Sequence, residues 1–143
     1  MDASTAPQPA PTAPEPAIVS ADGSKITLGG FADAYEILQE FANQPLDGAT
    51  AAKVVRLSRW GRPHYLRYIE ARGKEAEKYG EKVAEGKYRI SAERLAEYNQ
   101  AMAPTRAEVI AIDPALKIDV RTMGSVKITP VAIEILEPLL VGM

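Results

Sequence analysis

The sequence contains no cysteine, one histidine, one tryptophan and two phenylalanines among its 143 residues. Without cysteine the chain can form neither a disulfide nor a thiolate metal site, which is typical of an intracellular protein. No apolar run approaches the roughly 20 residues needed to span a bilayer. The N-terminus also lacks the basic start and apolar block of a secretory signal. We therefore expect an intracellular chain that has no contact with a membrane.

The single histidine restricts the chemistry. A Ser-His-Asp site would need His64 as its base, but His64 belongs to a basic, aromatic helical stretch. One histidine with scattered acids gives no metal-ligand spacing. The Leu28–Gly30 stretch lacks the Lys-Ser/Thr end of a phosphate loop, although a helix beginning there could hold a small anion. We predict a protein that is not an enzyme and needs no cofactor or metal.

Charge is distributed unevenly along the chain, although the net charge is only −2. Residues 1–50 carry seven acids and one lysine, residues 51–80 carry eight bases and three acids, and residues 81–143 carry nine acids and eight bases. The whole protein should therefore have no general affinity for polyanions. Its central segment, by contrast, could attract an acidic partner locally.

The basic segment 48–80 is predicted to form one long amphipathic helix, because its apolar residues recur at helical spacing. One face carries Val54, Leu57, Ser58, Gly61, Tyr65, Tyr68, Ile69, Ala76 and Tyr79. Asp47 or Thr50 could cap its start, and Gly80 suits a left-handed residue at its end. Pro63 opposes a helix, yet the apolar pattern keeps its phase on both sides. The alternative is two helices that meet at Gly61–Pro63.

The opposite face of this helix carries the candidate binding residues, which are Lys53, Arg56, Arg59, Trp60, His64 and Arg67. Arginine and tryptophan together are typical of interface anchors, and the same residues suit phosphate contacts and base stacking. An ordinary solvated helix face is the third possibility. Arg72 interrupts the apolar face, so its head either extends to water or is buried beside a carboxylate.

The segments on either side of the long helix predict an α+β fold. Residues 1–23 hold five of the eleven prolines and should form an extended arm, leaving residues 24–143 as one domain. We expect a strand over Lys25–Leu28 ended by Gly29–Gly30, and then a helix from Phe31 that Pro45 stops. That helix should form a long antiparallel hairpin with the basic helix.

The second half of the chain should add two short helices and a small, mostly antiparallel sheet. Residues 81–86 are expected to be a polar connector, and Ser91 should cap a helix that Pro104 closes. Thr129–Pro130 should start the last helix, which Pro138 ends before a buried Leu139–Val141 plug. The predicted strands are Lys87–Ile90, Glu108–Asp113, Leu116–Arg121 and Val126–Ile128.

The layout from about residue 25 onward resembles an uncharacterised family of small proteins encoded by tailed, siphovirus-type bacteriophages. The resemblance rests on KITL, on Pro45–Leu46 before AAKVVRLSRW, on EKYG, EYNQAM and EVIAI, and most of all on ITPVAIEILEPLL. Pro63 and the N-terminal arm depart from the family pattern. The resemblance implies a phage gene product located in the virion or the host cytoplasm, and it brings no catalytic residues.

Two functions follow as expectations. The first is a structural or accessory virion protein that binds other phage structural proteins, or copies of itself, through its arm and the basic face of the long helix. The second is an intracellular regulator that grips nucleic acid or a phosphorylated ligand with the same face.

Overall fold

The computed structural model describes residues 19–123 and 126–142. Within these residues the helices are α1 (Leu28–Ala42), α2 (Gly48–Tyr79), α3 (Ala92–Arg106) and α4 (Pro130–Leu136). The strands are β1 (Lys25–Thr27), β2 (Gly80–Ala84), β3 (Lys87–Ile90), β4 (Val109–Ala111), β5 (Ile118–Asp119) and β6 (Leu140–Val141). The predicted α+β class is confirmed. The predicted arm over residues 1–23 lies largely outside the described residues.

Helix α1 begins three residues earlier than the sequence predicts. The Thr27 hydroxyl accepts a hydrogen bond from the Gly30 amide at 3.2 Å and so caps the helix. Gly29 and Gly30 therefore lie in the first turn, where backbone amides need no partner within the helix. Both glycines are buried. They were predicted to end a strand, but they instead allow the first turn of α1 to pack closely against the core.

Helix α2 is a single continuous helix of 32 residues with Pro63 inside it. At 1.5 Å per residue it is about 48 Å long. The Asp47 carboxylate accepts from the Thr50 amide at 3.0 Å, which confirms the predicted cap. Pro63 is exposed, on the side where a helix bends most easily. The alternative of two helices is excluded.

The end of α2 differs from the prediction. Gly80 has φ −111° and ψ 169°, so it is extended rather than left-handed. A side chain there would lie 2.7 Å from the Ala76 carbonyl oxygen, so space rather than φ requires glycine. Gly80 opens strand β2, which pairs antiparallel with β3. The predicted polar connector is therefore the first strand of a hairpin whose turn contains Gly86 at φ +71°.

Helix α3 continues through Pro104 to Arg106, so the prediction that Pro104 closes it is wrong. Pro104 removes one backbone bond, the one that its amide would donate to the Gln100 carbonyl. The burial of Met102 and the side-chain bond of Arg106 to Tyr68 hold the turns on either side of it. Ser91 stands at the N-cap, but its side chain makes no capping bond. Met102 is buried, and the predicted inner residues Leu95 and Tyr98 are partly buried.

The C-terminal segments close the fold around α1. Strand β4 pairs antiparallel with β1, and β5 pairs in parallel with β6. The Thr129 side chain caps α4 as predicted. Val126–Ile128 is not a strand, because the Gln44 side chain takes both backbone groups of Lys127, at 2.6 and 3.1 Å. Leu139 and Leu140 are buried, whereas Val141 is exposed.

Helix α1 is the centre of the molecule, since α2, α3 and α4 all pack against it. Its buried residues include Phe31, Ala34, Tyr35, Leu38 and Phe41. The strands form three separate two-stranded ladders among the described residues, where the sequence predicts one small sheet. Short ladders do not bury a face of their own, so the helices supply most of the core.

Residues 69–101, all of which the structure describes, contain no buried residue. They comprise the last third of α2, the β2–β3 hairpin and the first two thirds of α3. We call this segment the α2–α3 extension. It is held by half-buried contacts such as the Arg94 guanidinium 5.1 Å over the Tyr79 ring.

Candidate interaction surface

Four side chains form a line along the solvent side of α2. Val55, Arg59, Arg62 and Leu66 are separated by four, three and four residues, so they fall within about 60° of one another on the helix. We call this line the outer stripe. Val55 is 47% exposed and Leu66 is 56% exposed. Both arginines are exposed, and neither makes an ion pair with a described residue.

Three of the six predicted binding residues are exposed. Arg56 lies beside the outer stripe, and Arg59 lies in it. Arg67 is exposed, but its guanidinium forms an ion pair with the Glu108 carboxylate just before β4. The predicted residues are thus not equivalent, because Arg56 and Arg59 are available to a partner and Arg67 is engaged within the fold.

The other three predicted residues lie on the flank of α2 that faces the fold. The Lys53 ammonium donates to the backbone carbonyls of Ala115 and Lys117, each at 3.2 Å. Trp60 packs edge-on against Phe31 with ring centroids 5.3 Å apart. His64 contacts the same ring at 6.4 Å and Trp60 at 5.0 Å. The prediction of Trp60 as an exposed anchor is therefore corrected.

The surroundings of the His64 side chain disfavour its protonated, charged form. Its partial burial, and next the positive charge of Arg67, lower the pKa of the imidazole below its ordinary value. It is therefore neutral near pH 7 and acts as an aromatic packing group.

The exposed face is rotated relative to the prediction because several neighbours cover α2. Helices α1 and α3 both pack against it, and the segment from Glu108 to Asp119 covers a further side. The buried arc is therefore wider than the apolar pattern alone indicates. The sequence reasoning missed Val55, Arg62 and Leu66. Their common spacing was a usable signal, but aliphatic residues on a basic helix are easily assigned to the core.

Contacts on the inner side fix the rotation of α2 and so hold the outer stripe toward solvent. A side chain at Gly61 would collide with the Phe31 ring, so glycine permits the close approach of α1 and α2. The Tyr35 and Tyr65 rings stack at 4.4 Å with 23° between their planes. The Tyr65 hydroxyl also donates to the Glu36 carboxylate at 3.0 Å.

Two arginines extend this clamp. Arg72 pairs with Glu36 at 3.3 Å and lies 5.8 Å above the Tyr68 ring. Its side chain is 42% exposed, so it is paired with a carboxylate yet not buried, which combines the two predicted alternatives. Arg106 donates to Asp33 and to the Tyr68 hydroxyl, both at 2.7 Å. These bonds to Asp33 and Tyr68 outweigh burial, so the pKa of the Arg106 guanidinium is raised.

A groove of about 370 Å³ lies on the opposite side of α1 from α2, between α1 and α4. We call it the α1–α4 groove. Its lining consists of Ile37, Glu40, Phe41, Gln44, Lys127, Ile128, Thr129 and Ala132. The bonds between Gln44 and Lys127 close one part of it. The groove therefore presents apolar side chains with charged residues at its edge.

A second cleft, of about 360 Å³, lies beside the start of α2. Lys53, Arg56, Asp119 and Thr122 contribute to its lining. The carboxylate of Asp119 in this lining already has a partner, because the Arg121 guanidinium forms an ion pair with it at 2.7 Å. Thr50 is also satisfied, since its hydroxyl bonds with Asp47 and Thr122.

The described residues contain no cluster of histidines and acids spaced to hold a metal ion. Their helices also include none with the length and apolar character that crossing a membrane requires. Comparisons of the chain with protein-family models, with curated proteins and with solved structures gave no match.

Proposed function

We propose that this chain is a non-enzymatic structural or accessory protein of a bacteriophage virion, which binds neighbouring protein subunits through the outer stripe of α2 and Arg56. The observation that carries the protein-binding part is that two unpaired guanidinium groups lie between two exposed aliphatic side chains on one rigid helix. The phage context comes from the sequence resemblance.

The chemistry of the outer stripe favours a protein partner. Burying the exposed side chains of Val55 and Leu66 in a contact favours binding by about 25 cal/mol for each Å² of apolar surface removed from water. A polyanion offers little apolar surface in return. Arg59 and Arg62 between them can make bidentate bonds with carboxylates, which add specificity. The best match is therefore a surface with an apolar centre and acidic residues.

The alternative of a nucleic-acid or phosphate binder has less support. Base stacking would need the Trp60 ring, which instead packs on Phe31. Lys53 donates to two carbonyls, and Arg67 pairs with Glu108. Three arginines, Arg56, Arg59 and Arg62, remain for phosphate contacts.

Quantitative mass spectrometry of purified virions tests the proposal. We expect the chain at a constant ratio to the major structural proteins. Arg59→Glu with Arg62→Glu should lower this ratio at least tenfold, because two repelling charges replace two attracting ones. The control Lys74→Glu with Lys78→Glu makes the same change in net charge near the far end of α2 and should leave the ratio unchanged. Absence of the wild-type chain from virions would contradict the proposal.

A salt series tests the alternative function, which is the binding of nucleic acid. Fluorescence anisotropy with a single-stranded DNA oligonucleotide should show no binding at low salt. Tight binding that weakens steeply with salt, and is lost in Arg56→Glu with Arg59→Glu, would favour the nucleic-acid function instead.

A further inference from the structure

We infer that the α2–α3 extension is a hinged unit, which opens while the rest of the fold stays closed. The last residue of the outer stripe, Leu66, precedes the extension on α2. Opening of the extension therefore leaves the proposed binding surface intact and gives the molecule a second conformation.

The buried core of the described residues stops at both ends of the extension. Tyr68 of α2 is 4% exposed and Met102 of α3 is 2% exposed, whereas no residue between them is buried. Burial of apolar side chains is the main source of stability in a folded protein. Regions with few such contacts open at a lower free energy than the whole fold. The extension therefore opens far more often than α1 unfolds.

Few side-chain bonds tie the extension to the rest of the described chain. Arg72 pairs with Glu36 of α1 at 3.3 Å, but both side chains are more than 40% exposed, so this pair adds little stability. The other ion pairs of the extension join residues three positions apart, such as Lys82 with Glu85. Beyond Arg72, no side-chain hydrogen bond or ion pair links the extension to a described residue outside it.

The parts of the extension depend on one another, so they open together. The β2–β3 hairpin is a two-stranded ladder, which is at best marginally stable by itself. It packs on the end of α2 and on α3, where Arg94 of α3 lies 5.1 Å above the ring of Tyr79 on α2. The N-cap of α3, Ser91, makes no side-chain capping bond. Loss of the contact between the two helices therefore releases the hairpin as well.

The hinge lies where α2 and α3 leave the core. Arg106 donates to the Tyr68 hydroxyl and to the Asp33 carboxylate of α1, both at 2.7 Å. These bonds join three helices at the base of the extension and keep the base closed. Opening beyond the base uncovers faces of Leu95 and Tyr98 that are half-buried in the closed form.

Hydrogen exchange of the folded full chain, followed by mass spectrometry of peptic fragments, tests this inference. After correction for intrinsic rates, hydrogen-bonded amides of β2, β3 and the first turns of α3 should exchange about a hundredfold or more faster than those of α1.

A core variant separates opening of the extension from unfolding of the whole molecule. Leu38→Ala in α1 removes a fully buried side chain, so it should speed exchange of α1 about thirtyfold or more. Exchange of the extension should stay unchanged, because its opening leaves the core intact. Ile26→Val is a milder core variant, which should show the same pattern with a smaller effect.

A variant within the extension tests whether its parts open together. Tyr79→Ala removes the ring that Arg94 covers, so it should speed exchange of the hairpin and of the start of α3 by one common factor. Val83→Ala is the matched control, because Val83 lies in the hairpin but is 53% exposed. It should leave exchange unchanged.

Equal exchange rates in α1 and the extension would overturn the inference, as would a core variant that speeds both equally. An acceleration confined to the immediate neighbours of position 79 would also contradict it, because the extension would then not open as a unit.

Discussion

At the scale of single residues, Gly61 decides how closely α1 and α2 approach. A methyl group there meets the Phe31 ring, and overpacking a core costs about 1–3 kcal/mol. We expect Gly61→Ala to lower the melting temperature by several degrees. Gly73→Ala is the matched control on the same helix, since nothing lies within 4 Å of its added methyl. That variant should be neutral or gain up to about 1 kcal/mol. Equal effects of the two substitutions would contradict the packing at Gly61.

Asp22 and Asp119 contribute to the response of stability to acid. Hydrogen bonds from Ser24 and Ser20 lower the pKa of Asp22 from 3.8 to about 2, and bonds from Arg121 lower that of Asp119 to about 2. Between pH 4 and pH 2 these two carboxyls therefore bind more protons in the unfolded chain, so the stability that they contribute is present above pH 4 and is lost as pH falls toward 2.

The Asp22→Asn, Asp119→Asn double variant should show a shallower loss of melting temperature between pH 4 and pH 2 than the wild type. Thermal unfolding followed by circular dichroism at a series of pH values measures this slope. An identical slope in both proteins would show that folding does not favour the charged form of either carboxyl.

Residue-scale predictions from the sequence succeeded where one short-range rule applies and failed where neighbours decide. The Asp47 and Thr129 caps were predictable, because each depends on a bond to an amide three residues away. The position of Trp60 was not predictable, because it depends on Phe31, which arrives from another helix. The sequence likewise could not distinguish unpaired Arg59 from paired Arg67, because the partner of Arg67 is Glu108, which lies in a distant segment.

At the scale of elements, α2 tolerates a proline in its interior. Pro63 removes a backbone bond to Arg59 and crowds the preceding turn, at a cost of up to about 3 kcal/mol. Pro63→Ala should therefore raise the melting temperature by several degrees in thermal unfolding. Pro130→Ala is the control, because proline at the first position of α4 is favourable, and it should give no gain. A loss of stability in Pro63→Ala would argue that the segment requires a break there.

Long periodic elements could be predicted from the sequence, and short exposed ones could not. The apolar pattern of α2 identified the helix through Pro63, because many core contacts outweigh one lost bond. The β2 strand was missed since its side chains are almost all exposed and show no alternation. Pro104 was assigned as a stop because the contacts of Arg106 with Asp33 and Tyr68, which hold the turn beyond it, come from distant segments.

At the scale of the whole molecule, α1 separates two surfaces of different character. The outer stripe of α2 has two unpaired arginines between two exposed aliphatic residues, whereas the α1–α4 groove combines apolar lining residues with Glu40 and Lys127. The sequence indicated the asymmetry of charge along the chain, but the groove combines residues almost one hundred positions apart, from Ile37 to Ala132. Only the packing of α4 on α1 brings them together.

The α2–α3 extension provides the sharpest comparison for the outer stripe. Val83 in its hairpin is 53% exposed, and Leu66 in the stripe is 56% exposed. The two positions therefore offer equal access to a partner but differ in their surroundings, because Leu66 follows free arginines and Val83 lies between charges of both signs.

Site-specific photo-crosslinking tests the binding role of the outer stripe most directly. A photoreactive amino acid replaces Leu66 in one variant and Val83 in a second, and both variants are irradiated during phage assembly in the host. We expect covalent adducts with a virion subunit or a second copy from position 66, identified by mass spectrometry, and none from position 83. Adducts from position 83 alone, or from neither position, would contradict the assignment of the α2 stripe as the surface that meets other subunits.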